Sequence, residues 1–211
     1  MGKSIMYDDI LYKSEDIRKM FAALISSGVL GITATNLQVV ENTGMQIKVK
    51  AGRAWTNGGC YVTDSDEGLT VPIADGVLHR IDRVVLREDL TYINGQQVGH
   101  KLMVVPGELS DHPVAPALVR DGTYYDIGLA TIKVDAGTTA ITQDLIADTR
   151  PDGDICGMVY SLARDSDMSG IYAQMEAQLL KVLQTLGNDD HVTVEIAEKR
   201  QGNLSDMLKL I

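Results

Sequence analysis

Hydrophobic and polar positions follow three regimes along the chain. Near the start, Ser14 is placed to cap a helix, and Glu15 and Asp16 suit the positive end of its dipole. Ile17, Phe21, Leu24 and Ile25 then recur at helical spacing until Gly28, which is expected to close the helix. From Asn36 to Asp135 the period changes to two. Met45, Ile47, Val49 and Ala51 alternate with Gln46, Lys48 and Lys50, so one face is core and the other wet. Asn57-Gly58-Gly59 turns the chain and Cys60, Tyr61, Val62 and Thr63 return, so residues 45–63 read as a hairpin.

A second strand is expected over Ile81–Glu88. It carries Asp82, Val84, Leu86 and Glu88 on one side and Ile81, Arg83, Val85 and Arg87 on the other, and its charged ends predict burial at the centre only. Ile93-Asn94-Gly95-Gln96 is a strong hairpin signal, with Gly99–Val105 as the returning arm. Pro106, Pro113 and Pro116 break the ladder and leave a loop of about a dozen residues, long enough to be a functional or contact surface. Tyr124–Val134 resumes as strand, Asp135–Thr138 turns, and Ile141–Ile146 is a short strand or a helical turn. Strands at this spacing without intervening helices predict a mainly β fold, an antiparallel sandwich or a barrel, the sandwich being the expected form.

The third regime follows the polar stretch Asp148–Asp154. Ile171, Met175, Leu179, Val182, Leu183 and Leu186 lie on one helical stripe that ends at Gly187-Asn188, and Leu204, Met207, Leu208 and Ile211 repeat the spacing near the end. The expected organisation is a helical arm over 1–35, a β-sandwich over 36–160 and C-terminal amphipathic helices over 161–211. A short amphipathic helix must cover its apolar stripe, against its own domain, a partner protein or copies of itself. Ile171, Met175, Leu179, Val182, Leu183 and Leu186 are therefore the candidate contact residues, and a homotrimer is the expected assembly.

Charge narrows the function classes. Among 211 residues, 29 acidic against 19 basic side chains give a net charge of −10, which disfavours nucleic acid and anionic membrane surfaces as partners. No apolar run approaches the roughly 18 residues of a membrane span, and the first residues lack a signal-peptide pattern. Cys60 and Cys156 are isolated and read as buried free thiols. His79, His100, His112 and His191 include no pair at ligand spacing, and no glycine pattern follows a strand and opens a helix as a phosphate cradle requires. The acidic clusters Asp64, Asp66, Glu67 and Asp148, Asp152, Asp154 lack the spacing of a calcium loop. No catalytic, cofactor-binding or metal-binding residue is predicted, and the expectation is a protein that is not an enzyme and carries no cofactor. Trp55 is expected in the core or between sheets. An alternative uses Trp55, Tyr61, Tyr92, Tyr124 and Tyr125 as stacking platforms for cell-wall polysaccharide.

One constellation stands out. Arg80, Asp82 and Arg87 on one strand, Arg120 beyond the proline loop, and Asp148 with Arg150 offer guanidinium forks and carboxylates beside buried strands. Such residues form bidentate pairs that tie loops to a domain or to a neighbour, or they line a solvated strand edge.

These residues also carry a resemblance. The pieces are Ser14-Glu15-Asp16-Ile17 with Phe21 and Ser27-Gly28-Val29; Gly44-Met45 with Val49, Gly52, Ala54 and Asn57-Gly58; and Arg80-Ile81-Asp82-Arg83-Val84-Val85-Leu86-Arg87. Arg120, Tyr124–Ala130 and Asp148-Thr149-Arg150-Pro151-Asp152 with Cys156-Gly157 complete them. In this order, over about residues 14–157, the chain resembles the N-terminal attachment region of baseplate and tail-fibre structural proteins from tailed phages of Gram-positive bacteria and related prophage-derived tail particles. The resemblance implies a β-sandwich attachment domain in a symmetric tail assembly, made in the host cytoplasm and carried in the virion or particle tail. Members of this kind often continue into a shaft and receptor-binding head, whereas only a short helical stripe follows here. That difference points to an adaptor between the tail tip and receptor-binding or fibre proteins.

Overall fold

The computed structural model describes residues 13–31 and 34–162, together with Ile5, Asp8, Gln174, Ala177, Gln178 and Leu180. The chain divides into two compact units, 1–164 and 165–211. In the second, Gln174, Ala177, Gln178 and Leu180 are helical and exposed. The stripe of Ile171, Met175, Leu179, Val182, Leu183 and Leu186 lies outside the described residues, as does the expected final helix.

The first unit is mainly β, and among the described residues its paired strands run antiparallel, with a single parallel bridge between Val29 and Met158. Helix α1 (Ser14–Ala22) begins one residue earlier than its sequence suggests: Lys13 occupies the cap position, and its backbone N–H donates to the Asp16 carboxylate at 2.8 Å. The acid at the third helical position thus replaces the Ser14 hydroxyl as the capping acceptor. The helix also stops well before Gly28, at Ala23. Gly28 instead opens strand β1 (Gly28–Val29), where its φ of 145° and the closeness of the Gly157 carbonyl, 2.5 Å from where a Cβ would stand, both require glycine.

The expected hairpin over 45–63 is two structures. Strand β2 (Val39–Glu41) pairs with β3 (Gln46–Val49), whereas β4 (Gly52–Thr56) pairs with β5 (Gly59–Thr63) through the Asn57-Gly58 turn. Lys50-Ala51 is a corner that carries the chain from one sheet to another. Buried Asn36 holds this corner: its side-chain amide donates to the carbonyls of Leu30 (2.7 Å) and Arg53 (2.9 Å), and its oxygen accepts from the Arg53 N–H (2.7 Å). An alternation rule reads straight through such a corner because the periodicity does not break there.

Strand β6 (Glu67–Thr70) completes the sheet β2-β3-β6, and β1-β4-β5 forms a second. The third contains β7 (Arg80–Ile93), β8 (Gln96–Val105), β9 (Tyr124–Val134) and β10 (Ile146–Asp148) in the order β10-β9-β7-β8. The segment 141–146 resolves into a 3₁₀ turn, Gln143–Leu145, leading into β10. β10 runs beside β2 and β6 beside β8, so two of the sheets adjoin along both edges. Leu37, Ile47, Val49, Val71, Leu86, Leu102, Ile127, Leu129 and Ile132 form one core drawn from them.

Strand β7 is central, and its burial exceeds the sequence expectation. Asp82 and Glu88 are 0% and 2% exposed, so the charged ends are as buried as the apolar middle. The register slips between Val84 and Val85, where β9 offers Ala130 and then Gly128, leaving Leu129 as the extra residue of a bulge. Val84, Val85 and Leu86 are buried in succession, so both faces of β7 are covered here.

Candidate functional site

The six charged residues do not converge. They form separate pins between strands and loops. Arg80 Nε donates to both Asp82 oxygens, at 2.9 and 3.1 Å, while its two terminal nitrogens donate to the carbonyls of Ile73 and Pro72. Asp82 also accepts from the Gly107 N–H at 2.9 Å, so one buried pair fastens both the loop before β7 and the loop after β8.

Arg87 makes a bidentate pair with Asp126, at 2.7 and 2.8 Å, and lies over the Tyr124 ring at 5.0 Å. Asp126 accepts in turn from the Val119 N–H at 3.0 Å. Arg120 lies over Tyr125 and donates to the carbonyls of Asp126 (3.0 Å) and Ile155 (2.9 Å). Arg150 forks onto Asp148 at 2.9 and 2.6 Å and reaches the Asn36 carbonyl, which holds the Asp148 carboxyl below the usual range. Each pin closes a loop with charge-assisted bonds, and none presents a free reactive group.

The aromatic platform also disperses. Trp55 packs against Phe21 of α1 with ring centroids 5.3 Å apart, Tyr61 donates its hydroxyl to Glu67, and Tyr124 and Tyr125 lie under arginines. Tyr92, at the tip of the β7–β8 hairpin, is 69% exposed. Cys156 is buried and its thiol is pushed up to about 12 by that burial; Cys60 is exposed, contrary to expectation.

A different group of residues does converge, beneath α1. A cleft of about 360 Å³ is lined by Ile17, Arg18 and Phe21 of the helix, Trp55 and Gly59 of the β4–β5 hairpin, and Glu88, Leu90, Gln97 and His100 of β7 and β8. The helix approaches closely because residue 58 is glycine: a Cβ there would stand 1.9 Å from the Arg18 carbonyl oxygen, and its φ is 84°. Gly59 keeps a second space clear, since a Cβ would lie 2.7 Å from Glu88 Oε1 and 3.0 Å from the His100 ring.

Within the cleft, Arg18 Nε stands 3.6 Å from Glu88 Oε1, and Arg18 Nη1 donates to Gln97 at 3.1 Å. Glu88 Oε2 is buried and has no hydrogen-bond partner. Burial pushes the Glu88 carboxyl up to about 7, against the opposing pull of the Arg18 charge and the Thr56 hydroxyl. Burial, aided by the Arg18 charge, pushes His100 down to about 4, and its Nε2 lies 2.7 Å from the Thr56 hydroxyl. The site therefore holds a neutral imidazole near neutral pH and a carboxyl that titrates close to it.

The sequence reading missed Glu88, Arg18 and His100, together with Asp126. The available signal was parity: alternation puts Glu88 on the face of Val84 and Leu86, and an acid on a buried face needs a partner or a proton. Among the described residues, no group of three or more His, Cys, Asp or Glu side chains is placed to hold a metal ion, and no helix is long and apolar enough to cross a membrane. No protein-family profile, no characterised protein and no solved structure matches this chain.

Proposed function

We propose that this chain is a structural, non-enzymatic component of a phage or phage-like tail baseplate, an adaptor that joins the tail tip to receptor-binding or fibre proteins. In this reading the β unit is a sandwich-type attachment domain, the stripe from Ile171 to Leu186 makes a homotrimer or docks a partner, and the protein resides in the particle tail after assembly in the host cytoplasm. One observation carries it. Three arginines of the motifs through which the chain resembles such proteins are consumed as internal pins: Arg80 with Asp82, Arg87 with Asp126, Arg150 with Asp148. Loops fastened in this way suit a part that must hold its shape under load.

The loops so fastened also carry exposed apolar side chains. Ile73 and Val77 before β7, and Leu109 and Val114 in the proline loop, are available for contact with neighbours. The test is Leu179→Asp, which puts a charge into the helical stripe. Sedimentation should show weakened self-association or partner docking while the melting of the β unit stays close to wild type. Equal loss of association and melting would make the stripe part of the domain core and overturn the adaptor arrangement.

A further inference from the structure

The cleft beneath α1 has a use that the adaptor reading does not require. Its walls are apolar and partly aromatic, through Ile17, Phe21, Trp55 and Leu90, while its charged groups are one acceptor and one donor side by side, Glu88 and Arg18, with Gln97 and His100 next to them. Native proteins rarely leave a buried carboxylate oxygen unpartnered, and doing so costs more than a typical hydrogen bond contributes. Glu88 is 2% exposed, lines this cleft, and has an oxygen in that condition. The space is a few hundred cubic ångströms, within the range of small-ligand sites and too small for a folded partner.

We propose that this cleft is a binding subsite for one neutral, hydroxylated ring, such as a single sugar unit, held by hydroxyl donation to Glu88 and by donation from Arg18, with its C–H face against the Trp55 side. Charge argues for neutrality. A cationic ligand would approach the Arg18 guanidinium, 3.6 Å from the carboxylate it seeks, and an anionic one would approach Glu88 itself. A hydroxyl both donates and accepts, so it can serve the two groups at once without bringing a net charge into a desolvated site. The glycine at 59 keeps the approach to the carboxylate open, because a side chain there would press on Glu88 Oε1 and His100.

The protein supplies its own reporters. Trp55, the sole tryptophan, lines the cleft, and exposed Cys60 sits on the same wall. The experiment titrates the full chain with D-glucose and N-acetyl-D-glucosamine, and with their charged counterparts D-glucuronate and D-glucosamine, following Trp55 emission and the alkylation rate of Cys60. The expected result is a saturable emission change and slowed Cys60 alkylation with the neutral sugars, at least tenfold weaker with both charged ones. Arg18→Ala and Glu88→Gln should each weaken the neutral-sugar response at least fivefold while circular dichroism stays that of the wild type.

A purified cell-wall polysaccharide distinguishes the two sources of such a ring. If it binds and free sugar displaces it, the subsite takes a unit of a polymer; if only the free sugars bind, it takes a small molecule. No saturable response to either neutral sugar in large excess over the protein, or an equal response to the charged analogues, would overturn the proposal.

Discussion

Glu88 is buried with one carboxylate oxygen unpartnered, and its effect on stability has a definite sign. Its carboxyl is raised in the folded protein from 4.5 to about 7, so the folded state holds a proton that the unfolded chain has already released. The stabilising contribution is complete below about pH 4.5 and is lost as pH rises through about 7. The loss is on the order of 3 kcal/mol for a shift of this size. Glu88→Gln removes the titration, so it should melt close to wild type at pH 4.5 and well above it at pH 8.5. Parallel melting curves across that range would show that burial does not govern this carboxyl.

The arginine pins differ by the exposure of their acids. Asp82 and Asp126 are fully buried, so Asp82→Ala or Asp126→Ala leaves a guanidinium without its counter-charge and should cost about 3–5 kcal/mol in urea denaturation. The Asp148 side chain is 42% exposed, and water can replace part of what Asp148→Ala removes, for a cost of about 1.5–3 kcal/mol. An equal cost at all three positions would contradict the dependence on the exposure of the acid. Arg80, Asp82, Arg87, Arg120, Asp148 and Arg150 could be picked out in the sequence because charge beside β-branched runs is conspicuous. Their division into pairs could not, because Asp126 sits in another strand, 39 residues from Arg87, and only the β7–β9 register brings them together.

For the elements, legibility followed periodicity. β7 and β9 and the β7–β8 turn were readable because long alternation and Asn94-Gly95 are local signals. The corner at Lys50-Ala51 was not, because it preserves the alternation while changing the partner sheet. The end of α1 was misplaced for a related reason: Leu24 and Ile25 keep the helical spacing, but Ile25 bridges to Ser161 instead. α1 is joined to the β unit by few contacts, chiefly Phe21 on Trp55 and Arg18 beside Glu88. Phe21→Ala should therefore shift Trp55 emission towards that of an exposed indole with a modest loss of stability. Leu86→Ala, in the core of β7, should cost about 2–5 kcal/mol. Gly58→Ala should mimic Phe21→Ala in Trp55 emission, since its methyl group would collide with the Arg18 carbonyl and push the helix away. Unchanged emission in both variants would mean that the helix is not seated by these contacts.

Taken as a whole, the molecule combines a pinned β unit over 1–164 with a second unit over 165–211. The β unit explains rigidity; the adaptor reading needs the second unit to supply association. In sequence, that role rests on the single stripe of Ile171, Met175, Leu179, Val182, Leu183 and Leu186. The acidic balance of −10 keeps separate copies apart by weak long-range repulsion, so any self-association must come from a specific apolar contact. The deciding measurement is the solution mass by light scattering of the full chain and of a truncation ending at Arg164. The account predicts a discrete oligomer, a trimer, that becomes a monomer on truncation; a monomer in both would overturn the homotrimer and leave only partner docking to the stripe, and an oligomer that survives the truncation would contradict the account.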